Sequence, residues 1–322
     1  MELSETGERV PVIELCGLTR LYGTVIGVND LNLKLDPGCY GLVGPNGAGK
    51  TTLIGLLTGS LFPSRGEARI FGANPIQHRS LLSRVGVCPA SELLIPRASA
   101  RDWLVELLMI GGYSFRESHD MAAEALVLTG MKDRMDSPIG SYSLGMRQRV
   151  KLAQAIAHDP ELLILDEPFN GLDPVGRFEM TELLKEWSSR GKTLILASHV
   201  LPEVEAVTDA FILIYGGRLL ATGSAHELRA MVNDLPQEIT LYGPDVEKLA
   251  GRMAEQPWVD SVRLSDDRNR LRIEARLADQ LAHHVTCWVA EDNLRIDRMV
   301  GADGELASLF EVLTRRHRGY AR

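Results

Sequence analysis

The sequence is poor in cysteine, and Cys16, Cys39, Cys88 and Cys287 stand far apart with no C-x-x-C pair. That spacing argues against a zinc ribbon and against a disulfide framework, and it suits reduced thiols in a cytosolic chain. Long apolar runs are also missing. Leu162 to Leu165 and Phe211 to Tyr215 have strand length, well short of the ~18 residues that span a bilayer. The chain is therefore expected to have no span of its own, so that any work at a membrane needs another chain to do the crossing. Positive charge is in deficit: 35 Lys and Arg face 43 Asp and Glu, for a net charge of −8. That balance argues against a general nucleic-acid binder, although it leaves room for a local basic patch. The opening Met1-Glu2-Leu3-Ser4-Glu5 is polar and acidic, unlike a secretory leader.

What is present points to a soluble globular protein of ordinary composition, 45% hydrophobic and 24% charged. At 322 residues there is room for one large domain and a small one.

The most informative stretch is Gly44-Pro45-Asn46-Gly47-Ala48-Gly49-Lys50-Thr51-Thr52, which fits the G-x-x-x-x-G-K-[ST] phosphate loop. Cys39 to Val43 before it reads as a buried strand and Thr52 to Leu57 behind it as a helix, which is the context the motif requires. Glycines let the backbone turn successive N–H groups inward, and the helix N-terminus adds partial positive charge. Lys50 is placed to reach the β- and γ-phosphates, and Thr51 to ligate magnesium.

Upstream, Pro11 to Leu18 and Val25 to Leu35 read as paired strands across Tyr22-Gly23-Thr24. At this point Tyr22 is open between stacking on a purine and plugging a sheet edge. Gly66 to Gly72 and Arg84 to Cys88 look like further strands. The spacing then predicts helices over Ala98 to Ile110, Glu117 to Thr129 and Leu144 to His158, a helical insertion. Before it, the loop from Pro89 to Pro96 holds Leu93, Leu94 and Ile95 in a row, either buried under the insertion or exposed as a partner site.

The apolar Glu161 to Leu165 ends in Asp166-Glu167-Pro168, as a parallel strand does when it presents acids beyond its carboxyl edge. One carboxylate can hold magnesium and the other can take a proton from water. Pro174 to Arg190 is an amphipathic helix whose Met180, Leu183, Leu184 and Trp187 read as core. Lys192 to Ser198 is a strand, followed by His199, which taken alone reads as a structural histidine. Phe211 to Tyr215 and Arg218 to Ala221 form a hairpin across Gly216-Gly217.

Beyond Leu228 the pattern is βαββαβ plus a helix: strands Glu238 to Tyr242, Val259 to Leu264, Leu271 to Ala275 and Leu294 to Val300, helices Val246 to Glu255, Ala278 to Val289 and Glu305 to Arg315. That order suggests a small ferredoxin-like α+β domain. His283-His284 lack a second ligand set and read as surface or core. The basic Arg315 to Arg322 is a solvated end or a weak attraction for anionic lipid.

Taken together, Gly44 to Thr51, Tyr142-Ser143-Leu144-Gly145-Met146-Arg147-Gln148-Arg149, Leu165-Asp166-Glu167-Pro168, Gly171-Leu172-Asp173-Pro174 and Ser198-His199 resemble, in order, the ATP-binding cassette (ABC) ATPases. The resemblance covers about residues 10 to 230, and the string after Ser143 together with the α+β tail is similar to the ATPase subunits of bacterial ABC-2 type exporters. It implies an α/β P-loop NTPase core with an N-terminal antiparallel β subdomain and an inserted helical subdomain, plus the small C-terminal α+β domain. The expected layout is a flexible 1–10, an ABC ATPase domain over 11–234 with its insertion at about 97–160, an accessory domain over 235–315 and a basic tail over 316–322.

The resemblance also implies roles. ATP and Mg2+ are the expected cofactors, with Tyr22 on adenine. Gly44 to Gly49, Lys50, Thr51 and Thr52 hold phosphates, and Thr51 and Asp166 hold the metal. Glu167 is the general base, His199 contacts the γ-phosphate and orients the water, and Lys50 assists. Ser143 caps a helix whose first turn carries no acid, leaving positive potential for an anion. In the family, Ser143 and Gly145 would face the nucleotide of a second copy, and Asp173 would communicate across that dimer. Two departures stand out: Leu144 replaces a glycine, and Ala90 follows Pro89 where the family usually has Gln, which is expected to alter coupling rather than abolish hydrolysis. The expected partners are a second copy and an integral membrane permease, with no nucleic acid. The expected place is the cytoplasmic side of the cell membrane. A soluble ABC ATPase acting on nucleic acid or ribosomes, and a regulatory half of a heterodimer, are the alternatives.

Overall fold

A computed structural model describes residues 10–91, 94–230, 237–276 and 278–301. Residues 1–9 of the expected N-terminus, Glu92, Leu93, the expected helix over 305–315 and the tail over 316–322 lie outside the described residues.

The central sheet forms from short runs rich in apolar and β-branched residues, none of them interrupted by proline. It has six strands in the order β5-β6-β7-β3-β8-β9. The strands are β3 (Cys39–Val43), β5 (Val85–Cys88), β6 (Leu162–Asp166), β7 (Thr193–Ser198), β8 (Ala210–Tyr215) and β9 (Arg218–Ser224). β5, β6, β7, β3 and β8 pair in parallel. Leu162, Leu163, Ile164 and Leu165 have no exposed surface, as expected of a parallel strand covered on both faces. Val43 sits opposite Ser198 and Asp166 opposite Ala197. The carboxyl ends of three neighbouring strands therefore deliver Gly44, Glu167 and His199 to one edge, where ligands of open parallel sheets bind.

A second, antiparallel sheet has the order β2-β1-β4, from β1 (Ile13–Tyr22), β2 (Val25–Leu35) and β4 (Arg65–Ile70). Gly23, with φ +62°, makes the β1–β2 turn. α1 (Lys50–Leu57) packs Leu53, Ile54, Leu56 and Leu57 into a core shared with both sheets.

The helical insertion comprises α2 (Ala100–Ile110), α3 (Phe115–Leu128) and α4 (Leu144–Ile156). Ser99 caps α2, Ser114 and Glu117 form a reciprocal capping box on α3, and Ser143 caps α4. α4 lies so close to β5 that a Cβ on Gly86 would stand 2.0 Å from the Ala155 carbonyl oxygen. α5 (Pro174–Ser189) buries Met180, Leu184 and Trp187, and a short α6 (Leu201–Glu205) follows β7.

The chain divides into two compact units between Thr222 and Gly223, ahead of the boundary expected at 234. β9 runs on to Ser224, and the Ser224 hydroxyl accepts from the Glu227 amide while the Glu227 carboxylate accepts from the Ser224 amide, starting α7 (Ala225–Ala230). The second unit carries β10 (Gln237–Tyr242), α8 (Val246–Ala254), β11 (Val259–Leu264), β12 (Arg270–Ala275), α9 (Ala278–Glu291) and β13 (Arg298–Gly301). Its antiparallel sheet has the order β11-β12-β10-β13, the ferredoxin-like arrangement. Val246, Leu249 and Met253 of α8 meet Leu271, Ile273, Leu281 and Val285 in a separate core. The last strand starts at Arg298 rather than Leu294. The Leu294 amide bonds back to the Val289 carbonyl and the Arg295 amide to the Asp245 carboxylate, which keeps 294–296 out of the ladder until the Asp297 amide meets the Tyr242 carbonyl.

Candidate functional site

The phosphate loop follows β3 and is shaped by its glycines. Gly47 and Gly49 have φ of +80° and +108°. A Cβ on Gly44 would lie 2.4 Å from the Ile214 carbonyl oxygen, and one on Gly49 would lie 2.4 Å from the Gly27 carbonyl oxygen. The Ala48 amide donates to the Pro45 carbonyl, and the Ala48 carbonyl accepts from Gly217, pinning the loop to the β8–β9 turn. Asn46 and Gly47 are exposed at its tip. No side chain caps α1 and its first turn carries no acid, so its positive end is left for an anion. Lys50 is buried, and its Nζ donates to the Gly44 carbonyl at 2.7 Å and the Pro45 carbonyl at 3.4 Å.

Across the sheet edge lies an acidic pair with two different environments. Asp166 is 2% exposed, and its Oδ2 accepts from Thr51 Oγ1 at 2.8 Å. Its Oδ1 is buried without a hydrogen-bond partner. Burial pushes its carboxyl above the ordinary aspartate range and Glu167 adds to this, while the Thr51 hydrogen bond, Lys50 and Lys151 pull the other way. Glu167 adopts φ +53°, rare for a non-glycine residue, with its amide donating to the Ala197 carbonyl at 2.8 Å. Both its carboxylate oxygens lie 2.9 Å from His199 Nδ1, one lies 3.3 Å from Ser198 Oγ, and Lys50 Nζ is 3.5 Å away. The structure thus brings Lys50, Thr51, Asp166, Glu167 and His199 into one cluster. An acid, an amine and an imidazole converge where a phosphate would sit, which is the donor and acceptor set for activating a water beside a polyphosphate.

Tyr22 is 42% exposed, under the Arg20 guanidinium at 4.8 Å. Its Cε2 and the Thr52 Cγ2 stand 2.8 and 2.9 Å from where a Cβ on Gly27 would be. Gly27 therefore lets the aromatic ring settle beside the helix that the phosphate loop starts.

Ser143 and Asp173 spend their side chains on their own helices. Ser143 Oγ accepts from the Met146 amide at 3.2 Å, and Asp173 Oδ1 accepts from the Gly176 amide at 2.9 Å ahead of Pro174 in the first turn of α5. A Cβ on Gly145 would lie 2.9 Å from the Gly171 carbonyl oxygen, and Leu144 covers Gly171 from the other side. Leu144 is half exposed, so the residue replacing the expected glycine packs across the 171–173 turn. Arg147 folds its guanidinium onto the Tyr142 carbonyl at 2.5 Å.

Comparison with known proteins agrees with this geometry. The family model described as "ABC transporter" matches residues 28–170. The Nod factor export ATP-binding protein I of Burkholderia orbicola (strain AU 1054) is 35% identical over 76% of this chain and 81% of its own length. The Nod factor export ATP-binding protein I of Rhizobium johnstonii is 36% identical, over 77% of this chain and 80% of its own. A solved ATP-binding subunit of an ABC transporter is 27% identical with a TM-score of 0.63, covering 68% of this chain and 92% of that one. The cbiO1 structure from Clostridium perfringens, part of the ABC transporter complex cbiONQ, is 27% identical with a TM-score of 0.59, covering 68% and 91%.

The chain is the ATP-binding subunit of an ABC transporter. As an ABC ATPase it binds and hydrolyses ATP. The orphaned Asp166 Oδ1 beside Thr51 Oγ1 fits a divalent cation: a buried carboxylate oxygen without a proton donor is the ligand that magnesium takes.

Two residues that touch Glu167 were given no role of their own from the sequence, and a third holds the loop after β5 behind them. Gln148, 4% exposed on α4, donates from Nε2 to the Glu167 carbonyl at 3.5 Å, one turn beyond the Ser143 cap. Ser198 Oγ touches both Glu167 and Glu203 at 3.3 Å and accepts from the Val200 amide. Lys151 Nζ reaches the carbonyls of Pro89, Ala90 and Ser91. A polar residue on the apolar stripe of an amphipathic helix was the available signal for Gln148.

Proposed function

We propose that this chain is the ATP-driven engine of a membrane exporter, working as a homodimer on a separately encoded permease at the cytoplasmic side of the membrane. The observation that carries the chemistry is the Glu167 carboxylate, held between His199 Nδ1 at 2.9 Å and Lys50 Nζ at 3.5 Å at the mouth of the phosphate loop. Export is supported by the names of the relatives, which are export ATP-binding proteins. No helix among the described residues is long and apolar enough to cross a membrane, which is why a second chain is invoked.

In this reading Gly44 to Gly49 wrap the β- and γ-phosphates of ATP, Thr52 supports them, and Tyr22 stacks on adenine. Lys50 leaves the loop carbonyls for the phosphate oxygens. Thr51 and Asp166 hold magnesium, which supplies charge neutralisation on the phosphate oxygens. Glu167 accepts a proton from the attacking water, oriented by His199. The bond from the γ-phosphorus to the bridging oxygen breaks, leaving ADP and phosphate. Ser143 and Gly145 of the second copy close over the γ-phosphate, and Asp173 stiffens the turn beside them. Loss of the shared phosphate lets the halves part.

The test is detergent co-purification from native membranes with a tagged Glu167→Gln variant, ATP and Mg2+. A multi-span membrane protein at near-equal amount is the expected result. Recovery of ribosomes, nucleic acid or soluble protein alone would overturn the exporter reading.

A further inference from the structure

Lys151 lies on the buried face of α4 and is 4% exposed. An ammonium has three donors and no acceptor, and a buried one is tolerated only when those donors are used. Here Nζ is 2.7 Å from the Pro89 carbonyl oxygen, 3.3 Å from that of Ala90 and 3.5 Å from that of Ser91. Three successive backbone carbonyls converge on one side-chain nitrogen. They belong to the segment leaving β5, which heads for the half-exposed Ile95. Position 90 carries only a methyl group, so the Ala90 side chain cannot bind anything in the nucleotide site.

The same helix makes two other connections. Its N-terminal end is the Ser143 cap, and Gln148 reaches the Glu167 carbonyl and, at 3.7 Å, the Cys88 sulfur. Gln148 and Lys151 are three residues apart and share a helix face. One face of α4 therefore holds both the backbone of Glu167 and the backbone of residues 89–91.

We propose that Lys151 is a positioning residue that fastens the 89–91 backbone to α4, so that a response of α4 to nucleotide reaches that loop through main-chain carbonyls instead of a side chain at position 90. The inference rests on the ATPase reading above. A lysine used this way makes the link insensitive to the identity of residue 90.

Hydrogen exchange on the full-length chain in the Glu167→Gln background tests it, with and without ATP and Mg2+. With Lys151 present, peptides containing Ala90 and Ser91 and peptides from the start of α4 are expected to gain protection together when ATP is added. Lys151→Met keeps the stem and removes the donors. It is expected to leave ATP affinity within about twofold, to raise exchange at Ala90 and Ser91 about tenfold, and to abolish their response to ATP while α4 still responds. Lys151→Arg, which restores donors, is expected to recover the loop response. If Lys151→Met does not fold, Lys151→Gln, which reaches fewer carbonyls, is expected to show a partial loss. An undiminished loop response in a folded Met or Gln variant that binds ATP would overturn the inference and leave the ATPase reading intact. Failure of the Glu167→Gln parent to bind ATP would overturn the ATPase reading itself and this inference with it.

Discussion

Glu167 and His199 are joined through one nitrogen: Nδ1 of the imidazole lies 2.9 Å from both carboxylate oxygens, although the two residues come from the ends of different strands. The pairing leaves Nε2 directed elsewhere and fixes the carboxylate beside Lys50. Glu167→Gln keeps the shape and the contact but cannot take a proton. We expect kcat for ATP hydrolysis to fall by about 10² to 10⁴, with ATP binding retained. Single-turnover hydrolysis together with equilibrium nucleotide binding separates the two, and a kcat within a few-fold of the parent would contradict the assignment of the base.

Asp166 carries a burial cost. Its carboxyl is pushed up by burial and by Glu167, and one oxygen has no partner. For an acid whose folded pKa is raised, the sign is destabilising: stability is lost as pH rises from the ordinary aspartate range through the raised value. Asp166→Asn removes the charge and keeps an acceptor for Thr51. Without nucleotide, the variant is expected to melt about 2 °C higher at neutral pH. With ATP and Mg2+ it should lose nearly all hydrolysis. A lower melting temperature, measured by calorimetry without Mg2+, would show that the carboxylate is stabilising.

His158 behaves in the opposite sense. Burial pushes its imidazole below the ordinary value of 6.5, against the Val85 carbonyl that its Nε2 meets at 3.3 Å. A buried histidine with a depressed pKa contributes stability that is present above the unfolded value and lost as pH falls through the folded one. Between pH 7.5 and pH 5.5 the wild type should lose more thermal stability than His158→Gln, which does not titrate. Equal losses would remove His158 from the acid response.

Much of this architecture is legible in the residues, for identifiable reasons. The strands of the central sheet are apolar and of strand length, and the phosphate loop carries its own context. The misses have physical causes. Leu294 and Ile296 alternate like a strand because they pack against the core of the second unit, yet the Asp245 carboxylate takes the Arg295 amide and delays the strand to Arg298. The start of α7 was readable as Ser224 followed three residues later by Glu227, a capping pattern hidden behind the end of a strand. Asp173 before Pro174 is likewise a helix-start signal, and the structure shows it capping α5. Lys151 could not be read, because a lysine on a helix is ordinarily solvated and only the fold brings three carbonyls to it.

The most direct test of the account is the mass of the Glu167→Gln protein in solution by size-exclusion chromatography with light scattering, with and without ATP and Mg2+. The account holds that each nucleotide is completed by Ser143 and Gly145 of a second copy. It predicts a monomer without nucleotide, a dimer with ATP and Mg2+, and loss of that dimer when Ser143→Arg is added while ATP is still bound. A Glu167→Gln chain that binds ATP with Mg2+ and remains a monomer would contradict it.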